Sequence, residues 1–336
     1  MIIPFFITHA GCPHQCVFCN QKNITGESRP PDPSSIHTSI STHLDTHKNN
    51  KAVQVAFYGG SFTALPLTVQ MAYLEAVRPF IESGRVASIR LSTRPDAVTP
   101  DILAVLKRYS VAAIELGAQS MEDKVLVLSG RGHSASDTVN AVALLREYNF
   151  STGLQLMPGL PGDTPEMFLE TVSRVISLRP DFVRIYPALV IKETPLAELY
   201  RTGNYIPLSL DDAVLLCHKA VARFEQAGIE VIRIGLQPTA VLERPGTIIA
   251  GPWHPAFRQL VESARFLDAM STLLRCGSTS GTVTFFVNPA DLSSAIGQKR
   301  LNIHTIKERY GMDAKIVANP AVLRGSVRKH PSCNAS

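Results

Sequence analysis

Residues 3–19 read Ile-Pro-Phe-Phe-Ile-Thr-His-Ala-Gly-Cys-Pro-His-Gln-Cys-Val-Phe-Cys, an apolar run, Ile3–Thr8, leading straight into Cys12, Cys16 and Cys19. The run has the length and composition of a strand, which places the three thiols in the loop that follows it. The same figure recurs at Val53–Tyr58, Ala87–Ser92, Val111–Leu116, Thr152–Met157, Phe182–Pro187 and Glu230–Ile234. Amphipathic stretches lie between several of these runs: Leu67–Glu82, Asp101–Tyr109, Ser136–Tyr148, Glu166–Leu178 and Leu210–Gln226. Such alternation predicts repeated βαβ units, and hence an α/β fold with a parallel sheet. Six or seven units over residues 1–237 fit a partial or complete (β/α) barrel, with an open sheet as the alternative that periodicity leaves. Barrel chemistry gathers where strands end. There the chain carries Gly59-Gly60-Ser61, Thr93-Arg94-Pro95-Asp96, Gly117-Ala118-Gln119-Ser120 and Pro158-Gly159-Leu160-Pro161-Gly162.

The composition changes after residue 237. Residues 238–281 read as a Pro- and Gly-bearing linker followed by a connecting helix, Phe257–Leu274. A compact α+β unit is expected over 282–318: strand Val283–Val287, helix Pro289–Ile296, tight loop Gly297–Arg300, helix Leu301–Tyr310, strand Ala314–Val317. Residues 319–336, with Arg324, Arg328, Lys329 and His330, read as a flexible basic tail. A hydrophobic share of 45% with 18% charged residues excludes a disordered or fibrous chain. The formal charge of +5 allows an anionic partner without requiring one. No apolar stretch is long enough to span a membrane, and the first residues lack the basic start and apolar length of a secretory signal. Of six cysteines, three cluster and Cys217, Cys276 and Cys333 are scattered, which is metal-site usage rather than a disulfide framework. The expectation is a cytoplasmic protein.

Thiolates are soft anionic ligands, and the spacing Cys-x3-Cys-x2-Cys lets one loop wrap an iron–sulfur cubane. Three thiols leave one iron of a [4Fe–4S] cluster without a protein ligand. A structural zinc site, the rival reading, normally needs four protein ligands. His14 lies too close between the first two cysteines to join them easily, and no second cysteine pair follows at zinc-ribbon spacing.

Cys-x3-Cys-x2-Cys with an aromatic, Phe18, before its last cysteine resembles the signature of the radical S-adenosylmethionine (SAM) superfamily. That resemblance implies a [4Fe–4S] cluster on Cys12, Cys16 and Cys19, whose open iron is chelated by S-adenosylmethionine. It also implies reductive cleavage to methionine and a 5′-deoxyadenosyl radical, fed by an electron donor such as flavodoxin or ferredoxin. Gly59-Gly60-Ser61 resembles the superfamily motif whose backbone binds the methionine amino group; a plain tight turn is the other reading of two glycines. Glu115, Gly117 and Gln119 alternate along one strand, so a carboxylate and an amide share a face where unpaired burial is costly. This makes Glu115 the catalytic candidate, with a satisfied structural network as its rival.

Gly117-Ala118-Gln119-Ser120, Arg131 two residues before His133, and Gln155 ahead of Gly159-Leu160-Pro161-Gly162 resemble coproporphyrinogen-oxidase-type radical enzymes. By motif, Gln119, Arg131 and Gln155 would contact S-adenosylmethionine. The chain departs from that family at Gln155, where the family has an acid, and at Ser92, where it has Glu. Gly59–Phe62, Ser92–Asp96, Glu115–Ser120 and Val183–Ile191 also resemble the radical domain of the Elongator catalytic subunit family, which modifies wobble uridine in tRNA. The short first cysteine gap departs from that family, and no acetyltransferase segment follows residue 237. The resemblance implies RNA, plausibly tRNA, as partner; a small-molecule substrate of porphyrin-precursor type is the alternative.

The 282–318 unit resembles the core of a KH domain, whose Gly-x-x-Gly loop clamps the backbone of single-stranded nucleic acid. Gly297 would then allow close approach, and Lys299 and Arg300 would meet phosphates. Arg300 occupies the place of the second glycine. A small α/β cap with solvated Lys299 and Arg300 is the other reading, and a non-catalytic metal-containing RNA-binding protein is the reading from a different class.

Overall fold

Three Thr-Pro pairs punctuate the first 200 residues, and each begins a helix in the computed structural model, which describes residues 1–27, 29–46, 52–275 and 281–330. Thr99, Thr164 and Thr194 accept the backbone N–H of Ile102, Met167 and Ala197, while the proline in the first turn has no N–H to leave unpaired. Ser134 and Asp137 form a capping box at the start of helix Ala135–Glu147. These caps set where each crossover helix begins after its strand.

The first strands are β1 (Ile2–Phe6), β2 (Gln54–Tyr58), β3 (Ser88–Thr93), β4 (Val111–Gln119), β5 (Ser151–Leu156), β6 (Phe182–Ile185), β7 (Val190–Ile191) and β8 (Glu230–Ile234). All but β7 form one parallel sheet in the order β1-β2-β3-β4-β5-β6-β8. Chain order equals sheet order, as repeated right-handed βαβ units require. The sheet curls with β1 and β8 as its edges, a partial barrel. Each of the seven strand runs read from the sequence lies in it, with ends shifted by a few residues. The outward face buries Val55, Phe57, Ile89, Leu91, Ile114, Leu116 and Leu154 beneath the crossover helices.

The chain divides into two compact units, one of Met1–Ala213 with Ala220–Trp253, the other of Val214–Lys219 with His254–Ser336. The boundaries differ from the sequence expectation. Residues 238–253 belong to the first unit: β9 (Ile248–Ala250) pairs antiparallel with β7, and Leu242 is buried beside Leu189 and Ile191. Backbone pairing and a buried side chain make this stretch part of the barrel unit rather than a linker.

Helix Phe257–Arg275 belongs to the second unit, placing Phe266, Met270 and Leu274 in its core. Its sheet runs β11-β10-β12, with β10 (Gly281–Val287), β11 (Met312–Ala318) and β12 (Val327–Lys329). β10 and β11 are parallel; β10 and β12 are antiparallel. The expected flexible tail is thus corrected at Val327–Lys329, whose backbone completes the sheet and whose Val327 packs on the core. Cys276 and Cys333 lie outside the described residues. Among the described residues no helix is long and apolar enough to cross a membrane.

Candidate active site

Two backbones meet unusually closely at the C-terminal edge of β1 and β2. A Cβ on Gly11 would collide with the Ser61 carbonyl oxygen, and one on Gly60 would fall 2.5 Å from that of Ala10. Gly59 adopts φ +82° beside them. Only glycine fits this approach, so the Gly59-Gly60-Ser61 turn and the cysteine loop form one double-layered wall. The loop is pinned further along by Val17 N–H to Ser129 O (3.1 Å) and Cys19 N–H to Cys16 O (3.1 Å).

This wall bounds a cavity of about 270 Å³ at the C-terminal ends of the barrel strands. Every barrel residue nominated from sequence lines it: Cys12, Cys16, Phe18, Cys19, Gly59, Gly60, Ser61, Ser92, Glu115, Gln119, Arg131 and Gln155. Cys12 is exposed, Cys19 half-buried and Cys16 buried. Burial first, then the charges of Cys16 and Cys12, push the Cys19 thiol up to about 12. Three thiols crowded enough to oppose each other's ionisation are matched to a cationic iron core, whose binding takes up the thiolates and releases their protons. Among the described residues no three His, Cys, Asp or Glu side chains are arranged to hold a single metal ion. In a cubane each thiolate binds a different iron, so the three need not converge on one point.

Arg131 is the cation of the wall. Its Nη1 donates to Cys16 Sγ at 3.1 Å and its Nη2 to Gly117 O at 2.6 Å. Arg94, itself paired with Asp96 at 2.6 Å, donates to the Arg131 carbonyl and fixes the turn that carries it. A Cβ on Gly117 would lie 2.8 Å from Gln119 Nε2 and 3.3 Å from Arg131 Nη2, so this glycine makes room for both side chains. The expected simple alternation of Glu115, Gly117 and Gln119 is interrupted by a register shift before Gln119, which takes φ +67°. A non-glycine residue in that region stores roughly 1 kcal/mol or more of strain. The distortion brings Gln119 Oε1 to within 3.2 Å of Gln155 Nε2, which donates to it.

Glu115 sits in the kind of polar network that the sequence reading sets beside a catalytic role. Its Oε1 accepts from Arg90 Nη1 (3.0 Å), Arg184 Nη2 (3.0 Å) and the Tyr58 hydroxyl (3.2 Å), and its Oε2 lies 2.6 Å from Arg184 Nε. Oε1 is committed to three donors as a counter-ion, whereas Oε2 makes an ion-pair contact with Arg184 Nε without a hydrogen bond, on a residue that lines the cavity. Burial, then the Glu115 charge, push the Tyr58 hydroxyl up to about 12, which keeps it a proton donor. Sequence reading missed Arg90 and Arg184 because single arginines in strands look like solvated edges. It also missed His9, Gln21 and Tyr186, which line the cavity. Gln21 N–H donates to His9 Nε2 at 3.1 Å, tying the cavity mouth to the short helix after Cys19.

The turn after β5 carries a titration. Asp163 Oδ2 accepts from Gly159 N–H at 2.9 Å, Oδ1 is buried without a partner among the described residues, and burial pushes the carboxyl up to about 6. Its folded value stands above the ordinary 3.8, so the folded chain holds the proton more tightly. The stability this confers is full below about pH 4 and lost as pH rises through about 6. Asp163→Asn, which keeps an acceptor for Gly159 and cannot ionise, is expected to melt progressively higher than wild type as pH goes from about 4 to about 7. A melting difference independent of pH would overturn this.

The radical SAM superfamily description matches residues 6–175, and that of the radical SAM C-terminal domain matches residues 180–265. A tRNA uridine(34) acetyltransferase of Dehalococcoides mccartyi (strain CBDB1) is 26% identical over 231 residues, covering 58% of this chain and 50% of that protein. The oxygen-independent coproporphyrinogen-III oxidase-like protein HemZ of Bacillus subtilis (strain 168) is 23% identical over 304 residues, covering 84% and 59%. Among solved structures, the archaeal Methanocaldococcus infernus Elp3 with an N-terminal deletion superimposes with TM-score 0.60 at 21% identity, over 80% of this chain and 63% of that one. The chain spans about half the length of the tRNA acetyltransferases that it matches.

Proposed function

The chain belongs to the radical SAM superfamily, and from that premise we propose that it is a radical enzyme acting on RNA, plausibly tRNA. Its cofactors are a [4Fe–4S] cluster and S-adenosylmethionine, as in the rest of the superfamily. The observation that carries the site assignment is that one cavity gathers three thiols, the close-packed Gly-Gly turn and the Gln119, Arg131 and Gln155 side chains. Cys12, Cys16 and Cys19 would hold the cluster, and together the two cofactors supply a strong one-electron cleavage that yields a carbon radical. The chain's own residues do the rest. Gly59, Gly60 and Ser61 offer backbone polar groups to the amino acid moiety. Arg131 donates hydrogen bonds at the thiolate edge and would offer a cation to the cofactor's carboxylate. Ser92, Gln119 and Gln155 would present hydroxyl and amide groups to the cofactor's sugar and base, and Phe18 would add an apolar face beside the cysteines.

The RNA assignment rests on the second unit and on the likeness to a tRNA-modifying relative. Between helices Leu292–Ile296 and Leu301–Tyr310, Lys299 and Arg300 adopt φ +49° and +62° and are exposed. Arg300 therefore holds the left-handed backbone expected of the second glycine in Gly-x-x-Gly, with a guanidinium added. Gly297 is buried, 3.2 Å at a notional Cβ from Asn302, so its missing side chain serves packing rather than an open ligand face. Asn302 Nδ2 donates to Ser263 O and Ala295 O and braces the loop from within. Lys299→Ala/Arg300→Ala is expected to weaken tRNA binding and to lower the slope of log affinity against log salt by about two, one for each phosphate no longer neutralised. Anaerobic reconstitution of wild type should yield 5′-deoxyadenosine from S-adenosylmethionine. Absence of tRNA binding by wild type would sink the RNA reading; absence of 5′-deoxyadenosine would sink the enzyme.

A further inference from the structure

Ser129-Gly130-Arg131-Gly132-His133 sets one arginine between two glycines, and both glycines take left-handed backbone, φ +63° and +68°. The cause is the cysteine loop packed against them. A Cβ on Gly130 would stand 3.2 Å from Gln15 O, and one on Gly132 would collide with the His14 ring. Val17 N–H to Ser129 O ties the two segments together. The turn therefore presses against residues 13–17 and delivers Arg131 to Cys16. Arg131 is buried, with 8% of its surface exposed. Nothing acidic accompanies it there. Ion pairs join Arg90 and Arg184 to Glu115 and Arg94 to Asp96, whereas among the described residues no Asp or Glu pairs with Arg131. Its hydrogen bonds go to Gly117 O at 2.6 Å and to Cys16 Sγ at 3.1 Å, and its Nε is buried without a partner. A buried cation without a counter-ion is costly, so the site is built for an anion. Of its two hydrogen-bond acceptors, only the Cys16 sulfur can become one. Cys12 Sγ, by contrast, has the neutral Ser61 hydroxyl at 3.5 Å.

We propose that Arg131 is the counter-ion of the reduced cluster: acting through Cys16, it raises the cluster's reduction potential and eases electron entry. The inference rests on the assignment of the cluster to Cys12, Cys16 and Cys19, and it is independent of the RNA reading. Reduction brings in one electron from a low-potential one-electron carrier. No proton moves and no bond is made or broken, so the cluster gains one negative charge. A guanidinium at hydrogen-bonding distance from a ligating sulfur favours that more negative state. Burial leaves the attraction poorly screened. The position of Arg131 is fixed within the protein, by Gly117 O and by Arg94 Nη2, which donates to the Arg131 carbonyl at 2.8 Å. The role is thus separate from a contact with the cofactor's carboxylate and operates before S-adenosylmethionine binds.

The test is an anaerobic redox titration of the full reconstituted chain with dithionite, without S-adenosylmethionine, followed by the electron paramagnetic resonance of the reduced cluster. Arg131→Gln keeps a hydrogen-bonding amide and removes the charge. It is expected to make reduction about tenfold less favourable, a midpoint lower by about 59 mV for a one-electron couple. Arg131→Lys keeps the charge and should lie nearer wild type than Arg131→Gln does. Ser61→Ala, which removes only the neutral hydroxyl beside Cys12, should shift the midpoint less. Arg131→Met takes the place of Arg131→Gln should the latter lose the native circular dichroism. A neutral variant with the midpoint of wild type overturns the proposal; weaker S-adenosylmethionine binding in that variant, measured by equilibrium dialysis, would then assign Arg131 to the cofactor alone. An Arg131→Lys protein as hard to reduce as Arg131→Gln also overturns it, because charge is then not the cause. Loss of iron from a natively folded neutral variant makes Arg131 a requirement of assembly, and the tuning role falls. If wild type itself shows no reducible [4Fe–4S] signal, the cluster assignment fails and takes this proposal with it.

Discussion

Alanine at any one of Cys12, Cys16 or Cys19 is expected to abolish iron–sulfur assembly and reduce 5′-deoxyadenosine formation to background, while the barrel still folds. The loss is complete rather than graded because the ligand count is already minimal: with three thiolates, one iron is left open by design, and a second open iron makes the cluster labile. The fold survives because the loop is held by other means, namely the close packing at Gly11 and Gly60 and the Val17 to Ser129 hydrogen bond. Cys12→Ala removes an exposed side chain and should leave the melting temperature of the cluster-free protein unchanged. Cys16→Ala opens a small buried space and strands Arg131 Nη1, so it alone should show a modest drop in stability. Iron and sulfide content, visible absorbance and circular dichroism separate the two effects. Stoichiometric zinc in wild type purified without oxygen, or retained iron in all three variants, would overturn the cluster assignment.

How far the chain could be read without a structure follows from how each signal is encoded. Strand runs such as Val53–Tyr58 and Val111–Leu116 are buried on both faces over most of their length, so their apolar character is nearly continuous and their parallel order follows from the connections. Caps are equally local, since Thr-Pro acts within four residues. The cysteine loop and Gly-Gly turn were legible because their chemistry is contained in short spacings. What stayed hidden depends on partners far away in the chain. The crossover helix Pro33–Thr46 buries only Ile36 and Ile40, too few apolar positions to mark its period. β7 and β9 are two and three residues long and are strands only by virtue of each other. The residue at 119 looked like the next step of an alternating strand, yet the register shift and φ +67° that aim it are set by β5. Val327–Lys329 looked like a basic tail because its only β signal is a neighbour forty residues earlier. Glu115 was visible as a buried acid, but its two arginines come from β3 and β6 and carry no mark that they would converge.

That convergence yields the second large effect: Glu115→Ala is expected to destabilise the barrel unit by about 3–5 kcal/mol, the range for breaking a buried ion pair from one side. Arg90 and Arg184 keep only 14% and 17% of their side-chain exposure, and Glu115 keeps 6%. Water entering through the cavity that Glu115 lines can replace its hydrogen bonds but not its charge. Without it, two guanidinium groups face each other across the barrel interior with the π-faces of Phe182 and Tyr58, 4.7 and 5.2 Å away, as partial compensation. Tyr58 loses its acceptor at the same time. Glu115→Gln should lie between wild type and alanine, because an amide oxygen still accepts one or two of these hydrogen bonds but carries no charge. The decisive variant is Glu115→Ala/Arg90→Met: removing one cation leaves Arg184 with Tyr58 and Tyr186 and should recover part of the stability. A simple cavity effect predicts the opposite, since the second substitution would add its own cost. Urea unfolding of the four proteins at low and high salt decides the matter. A Glu115→Ala protein as stable as wild type, or a double variant less stable than the single, would show that the network is not held by its charge balance.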